Sequence, residues 1–349
     1  MPDFDSYSCP LPLHPGERVV LGHGSGGRLS RDLLERVILP ALGDSAPPAL
    51  DDAAVVEGTS GPLALSTDSY VVRPRFFPGG DIGRLAVCGT VNDLAMVGAE
   101  PLALTLGCIL EEGLPLEELA HILDSARKAA AEAGVRIAAG DTKVVDRGKA
   151  DGLFLNTAGI GRLPENGAIL GSGAKPGDVV LISGAVGDHG MAVLGAREGL
   201  GFESDLKSDV APLAGLVAAM LTAGEVHAMR DPTRGGLATS LVEIAAQSGL
   251  GVELEETAIP IHAPVSAACE ILGFDPLYVA NEGKLVAFVA ERDAGKILDA
   301  MRTHPYGVEA ARIGRAAGED PAHRVRLRTA IGGTRIIDML PGELLPRIC

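Results

Sequence analysis

The chain has no tryptophan, and aromatic residues make up only 3% of its 349 positions. Stacking platforms for single-stranded nucleic acid are built on aromatic rings, so that class of function is not expected. Basic residues are also scarce. Thirty Lys and Arg stand against 46 Asp and Glu, which gives a formal net charge of −16 at pH 7. Such a surface has no electrostatic footprint for DNA or RNA. Any polyanion it binds must be held through a divalent cation, backbone N–H groups and a few placed cations. No run of 18 or more apolar residues occurs, so no membrane span is expected. Residues 1–15 contain Asp3 and Asp5 and lack the basic-then-apolar layout of a signal peptide, so the expected compartment is the cytoplasm. Cysteine is limited to Cys9, Cys88, Cys108, Cys269 and Cys349, with no CxxC spacing, which argues against a disulfide framework or a structural zinc site.

The residues present read as an α/β protein large enough for two cores. Glycine (46) and proline (23) punctuate periodic segments without forming low-complexity runs. The apolar spacing predicts helices over 29–39, 82–97, 116–133, 190–198, 211–223, 237–247 and 293–301. Strands are predicted over 53–56, 63–66, 70–72, 102–109, 135–138, 154–160, 179–183, 252–254, 277–280 and 285–289. The expected division is an extension over 1–22, one domain over 23–165, a second over 166–340 and a mobile tail over 341–349.

Acidic residues fall in loops and at strand ends beside apolar segments: Asp51 and Asp52, Asp68, Asn92 with Asp93, and Asp141. A lone Asp of this kind suits a turn or a cap. Four such segments in one domain point to carboxylates gathered around a cation, since converging carboxylates otherwise repel. Mg²⁺ takes oxygen ligands and shares them with phosphates, so the set reads as a Mg-nucleotide site. The His23-Gly24-Ser25-Gly26-Gly27 loop before the first helix suits phosphate through exposed N–H groups, or is simply a flexible loop. Lys143 is either a cation for a transferred phosphoryl group or a surface lysine. His189, in the Gly187–Gly190 turn, is either a cap or a site residue. Glu282 lies between two apolar segments, as either a general base or a hairpin-turn residue. The Arg230–Gly236 loop carries two arginines, suited to anion or interdomain contacts.

The chain ends Leu345-Pro346-Arg347-Ile348-Cys349. A prenylation box needs three residues after its cysteine, so it is excluded. A terminal thiol on a short tail is expected to be exposed and unhindered, and its thiolate is a nucleophile.

Together LDDAAVV, STDSYVV, FFPGGDIG, GTVNDLAMVGAEP, ILEEG, GDTKVV, MRDPTRGGLA, ANEGK and the terminal PRIC resemble the HypE family of hydrogenase-maturation carbamoyl dehydratases, within the AIR-synthetase-like (PurM-like) superfamily. The likeness runs from about His23 to Cys349. It implies two PurM-like α/β domains, with N-terminal strands forming a barrel across a homodimer. It implies ATP at Asp51, Asp68, Asn92, Asp93, Asp141, Gly24, Gly26 and Gly27, and Mg²⁺ at Asp51, Asp52, Asp68, Asp93 and Asp141. The implied partners are the carbamoyltransferase HypF, which would load a carbamoyl group on Cys349, and the HypC–HypD complex, which would receive cyanide for an [NiFe]-hydrogenase. The expected reaction is ATP-dependent dehydration of S-carbamoyl Cys349 to S-cyanocysteine. Lys143 would stabilise the phosphoryl group, Glu282 would act as base, and His189 is the second choice for that role. The rival enzymes of the superfamily are selenophosphate synthetase and small-molecule kinases. The first would carry a reactive Cys or Sec with a Lys in its glycine-rich segment, and residues 23–28 have neither. The rival outside catalysis is a nucleotide-binding scaffold, which has no need of convergent carboxylates.

Overall fold

The computed structural model describes residues 27–33, 35–36, 54–58, 61–198, 206–340 and 347–349. In the first half, α1 (Arg28–Leu33) precedes β1 (Ala54–Gly58), β2 (Gly61–Tyr70), the two-residue strands β3 (Phe76–Phe77) and β4 (Gly80–Asp81), α2 (Ile82–Met96), β5 (Glu100–Glu111), α3 (Leu116–Glu132), β6 (Arg136–Val145) and β7 (Leu153–Arg162). The second half holds β8 (Val179–Ile182), α4 (Asp188–Glu198), α5 (Ala214–Ala223), β9 (Val226–Arg230), α6 (Gly236–Ser248), β10 (Leu250–Glu255), α7 (Ala263–Leu272), β11 (Val286–Val289), α8 (Ala294–Thr303), β12 (Ala311–Glu319), β13 (Val325–Arg328) and β14 (Thr334–Ile337).

Five strands form one sheet in the order β1-β2-β7-β5-β6, and seven form another in the order β14-β13-β10-β12-β8-β11-β9. Among the described residues only β5–β6 and β10–β13 pair in parallel. Period-two alternation gives the first sheet two faces. Leu104, Leu106 and Cys108 of β5 turn inward and are buried, while Thr105 and Ile109 face out. α2 covers the inner face. Asp81 caps it by accepting from the N–H groups of Gly83 and Arg84 at 2.8 and 3.0 Å. Nearly every residue of α2 is buried, because it is wedged between its own sheet and the second half. Gly89 allows this packing: a Cβ there would fall 2.3 Å from the hydroxyl of buried Tyr70.

Asn92 of α2 joins the halves. Its amide donates to the carbonyls of Ala211 and Glu282 at 3.1 and 3.2 Å, and its oxygen accepts from Leu213 N–H at 2.8 Å.

Two expectations differ. β2 runs unbroken through Thr67-Asp68-Ser69, because those residues pair in register with Ala158, Thr157 and Asn156 of β7, respectively. The strand expected over 277–280 is instead a 3₁₀ turn, Pro276–Tyr278, begun by Asp275, whose side chain accepts from Leu277 N–H. Glu282 therefore stands in a loop leading into β11, not in a hairpin.

Replacing Asn92 with Ala leaves Leu213 N–H and two carbonyls unpaired in the interior. The expected loss is about 3 kcal/mol of stability, a cost typical of orphaned buried groups. A denaturant midpoint equal to wild type would refute the clamp.

Candidate active site

The terminus of the chain is docked into the protein. Val71 N–H donates to Cys349 O at 3.1 Å, and Arg73 N–H donates to Arg347 O at 3.3 Å, an antiparallel pairing beyond the end of β2. The Arg347 side chain donates to Val71 O at 3.0 Å, pairs with Asp151, and lies over the Phe154 ring. Arg197 bridges the carbonyls of Arg73 and Arg347 at 2.7 and 2.6 Å. Ile348 and Cys349 are buried at 2% and 7% exposure, in one core cluster with Tyr70, Val72 and Phe77. The expectation of an exposed, unhindered thiol is corrected. In this docked conformation the tail is fastened at each of its last three residues.

His189 is one of the fasteners. Its Nε2 lies 2.8 Å from Ile348 O, and its Nδ1 lies 2.8 Å from the Ser208 hydroxyl. A carbonyl only accepts, so the proton sits on Nε2 and Nδ1 accepts from Ser208. Burial lowers the pKa of His189, which keeps the ring neutral. With both nitrogens engaged, His189 holds the tail and is not free to act as a base.

Three loops meet at Asn281. Its oxygen accepts from Gly187 N–H at 2.7 Å, and its amide donates to Pro232 O at 2.9 Å. The Gly187-Asp188-His189, Asp231–Gly236 and Asn281–Lys284 segments are thereby tied together. Gly283 lets the Glu282 loop lie against residues 209–211, since a Cβ there would stand 1.8 Å from Asp209 O.

The electrostatics are severe. Glu282 is 3% exposed, and its Oε1 has no hydrogen-bond partner among the described residues. Burial, then Asp231, Asp68 and Asp209, push its pKa well above the carboxylate range, while Arg234 pulls it back. Cys349 responds similarly. Burial is the main cause, Glu282 and Asp68 add to it, and Arg234 opposes, leaving the thiol at about 12. Tyr70 is raised by burial and then by Asp68 and Asp93. Asp68 and Asp93 thus share the inner face of the sheet, where Asp93 accepts from the Ser66 hydroxyl at 2.6 Å.

Asp141 and Lys143 are elsewhere. Asp141 pairs in register with Gly107, Gly107 with Asn156, and Asn156 with Ser69. Asp141 is therefore three strand spacings from β2, about 14 Å. It also points to the outer face, opposite Asp68, because neighbours along a strand alternate. It is bonded to Lys143 at 2.6 Å, and both side chains are about 70% exposed. One chain does not bring Asp141 or Lys143 to Cys349. Asn92 is likewise removed from the expected nucleotide set, because its amide is spent on the interdomain clamp. Asp51, Asp52, Gly24 and Gly26 lie outside the described residues. Gly27 precedes a six-residue helix whose Arg28 N–H donates to Leu340 O. No group of three or more His, Cys, Asp or Glu arranged to hold a metal occurs among the described residues.

Models of the AIR synthase related proteins match both halves, the N-terminal domain over residues 50–163 and the C-terminal domain over 175–326. Carbamoyl dehydratase HypE of Azotobacter vinelandii is 53% identical over 341 residues, covering 97% of this chain and 99% of that protein. This chain belongs to the HypE family. A solved HypE–HypF complex superposes on it with TM-score 0.83 and 48% identity, covering 88% of this chain and 99% of that one. A hydrogenase maturation protein HypE in complex with ATP gives TM-score 0.80 and 49% identity, covering 95% and 100%. The fold is accordingly mixed α/β and PurM-like, with two AIR synthase related domains.

For a HypE-family chain, the sequence reading placed Cys349 and Glu282 together, and the structure does so. It missed the roles of Arg347, Arg197 and Asp209. Arg347 lies in the quoted PRIC motif, while Arg197 carried no local signal, because its partners come from segments far away in sequence.

Removing the Arg347 side chain deletes charge-assisted bonds worth about 1.5 kcal/mol or more. Arg347→Ala is expected to speed alkylation of Cys349 at least about tenfold, read by localising the label with mass spectrometry. Labelling at the wild-type rate would show that Arg347 does not hold the tail.

Proposed function

We propose that this chain is an ATP-dependent carbamoyl dehydratase acting on its own terminus. A carbamoyl group on Sγ of Cys349 becomes a cyano group, which supplies the cyanide ligand in [NiFe]-hydrogenase maturation. The observation that carries this reading is the burial of Cys349 against Glu282, Arg234 and Asp68. A thiol held there is a poor nucleophile, but the same pocket suits a neutral adduct brought in on the sulfur.

Hydroxide leaves a thiocarbamate poorly, so the oxygen must first be activated. It bonds to the γ-phosphorus of ATP as the β–γ bridge breaks and ADP departs. The nitrogen releases one proton to solvent. Glu282 then accepts the second nitrogen proton, the carbon–oxygen bond breaks, and phosphate leaves from S–C≡N. A carboxylate made more basic by burial is suited to this task. His189 orients the tail through Ile348 O.

The donors present fit Mg²⁺. Asp68 and Asp93 are hard oxygen ligands, and the excess of carboxylates that raises Glu282 and Tyr70 is relieved by a cation. Asp68 and Asp93 would hold it together with Asp51 and Asp52, which lie outside the described residues. Bound there, it would screen the phosphate charge.

The outer face of the first sheet supports a homodimer with a shared barrel. Leu65, Ile109 and Ile160 stand 40–44% exposed on it, beside Asp141 and Lys143. Lys143 and Asp141 keep their expected roles only if a second copy supplies them. HypF, a partner of the solved relative, is the proposed donor of the carbamoyl group, and a HypC–HypD complex the proposed acceptor of the product. No helix among the described residues is long and apolar enough to cross a membrane. The proposed domain limits remain 23–165 and 166–340, with 341–349 as the tail that carries Cys349 between partners.

Intact mass after incubation with HypF, carbamoyl phosphate and ATP tests the reaction. Wild type should gain one carbamoyl group and then lose one water. Cys349→Ala should gain nothing, and Glu282→Gln should load but lose water about 10²–10⁴-fold more slowly. Full cyanation by Glu282→Gln removes Glu282 from the role, and an adduct on Cys349→Ala removes the tail.

Ile160→Asp places a charge in the middle of the apolar face and should shift the protein from dimer to monomer in sedimentation velocity. A wild-type protein that sediments as a monomer at micromolar concentration would end the barrel proposal.

A further inference from the structure

The Arg230–Gly236 loop is fixed at both ends. Arg230 is buried and ion-paired with Glu243, and Pro232 O receives both the N–H and the amide of Asn281. Gly235 and Gly236 follow with φ of 79° and 64°, in the region that favours glycine. A Cβ on Gly236 would stand 2.5 Å from Leu277 O, and one on Gly235 would stand 2.2 Å from the Thr239 hydroxyl. Arg234 is thus held on a rigid turn. Its Nη2 lies 4.0 Å from Asp68 Oδ1 across the site, and its guanidinium donates a hydrogen bond to the sulfur of Cys349. Its side chain is 41% exposed while Cys349 is buried, so Arg234 forms the rim between the docked sulfur and solvent.

Two other cations were available for the chemistry. Within one chain Lys143 lies on the opposite face of the sheet, paired with Asp141, and would reach the site only from a second copy. Lys284 is occupied by Asp209 at 3.4 Å. Arg234 is the cation that one chain places on the reacting sulfur.

Resting on the function proposed above, we propose that Arg234 is a catalytic residue of the dehydration: its guanidinium holds the carbamoyl oxygen on Cys349 and stays with that oxygen while it bonds to phosphorus and departs as phosphate. The oxygen is one carbon removed from the sulfur that Arg234 touches. A guanidinium offers five donors in a planar fork, enough to hold that oxygen and a phosphoryl oxygen together. It keeps its charge throughout, so it stabilises the leaving group without entering the proton transfers, which balance between the nitrogen, solvent and Glu282.

The test uses full-length protein with HypF, carbamoyl phosphate and ATP, followed by intact mass over time. Arg234→Gln should accept the carbamoyl group, since loading takes place with the tail outside. It should then lose water at least about 100-fold more slowly, as for loss of one charge-stabilising donor. Added guanidinium ion should restore part of that rate in Arg234→Gln and leave wild type unchanged, and Arg234→Lys should fall between the two. Water loss at the wild-type rate in Arg234→Gln overturns the proposal alone. So does slow water loss with no rescue and with faster alkylation of Cys349, because Arg234 would then only hold the tail. If wild type itself gains no adduct or loses no water, the function proposed above fails and this role fails with it.

Discussion

Glu282 is buried among Asp68, Asp209 and Asp231, with Arg234 opposing their effect. That imbalance organises the site. Carboxylates do not gather in a dry interior unless something neutralises them. Here the answers are partial. Lys284 pairs with Asp209, Arg234 reaches toward Asp68, and Glu282 keeps an oxygen without a partner among the described residues. The crowd persists because backbone geometry enforces it. Gly283 admits the Asp209 segment at a distance no side chain would allow, and Asn281 and Asn92 lock the surrounding loops. The remaining crowding is met by Glu282 itself, which holds its proton more tightly than an ordinary carboxyl.

Much of the fold was legible from period alone. Ile82–Met96 and Leu116–Glu132 stand where helical spacing puts them, and β5, β7, β8 and β11 fall on the apolar runs. The strand β12 was not legible, because Ala311–Glu319 carries Gly314, Gly318 and charged residues that read as loop. α7 begins with Pro264 near its start and small residues after it, a pattern that helical spacing does not flag. In the site, motif order marked candidate residues but not which face they occupy. Asp68 and Asp141 look equivalent in sequence, each following a strand-like run. Register separates them, because a strand turns alternate residues to opposite faces and three strand spacings intervene. His189 shows the same limit. Its turn was readable, but its partner, Ile348 O, is 159 positions away.

The docked tail sets opposite demands on one sulfur. In the proposed reaction Cys349 must be a nucleophile when it receives the carbamoyl group, yet burial raises its pKa from 9.0 to about 12. That difference disfavours the docked thiolate by roughly 4 kcal/mol, about a thousandfold. The same linkage read in reverse says that ionisation of Cys349 favours release of the tail, where the thiolate is hydrated and open to a partner. Once the sulfur carries a carbamoyl group it has no proton to lose and no charge to desolvate. The cost that kept the thiolate out is then absent, while the contacts made by Arg347, His189 and Arg197 remain. In the proposed reaction the adduct would bring a carbonyl oxygen toward Arg234 and N–H donors toward the orphaned oxygen of Glu282. Docking is therefore tied to the chemical state of the sulfur: burial disfavours the charged form, and on the proposed function the loaded form would carry no such cost.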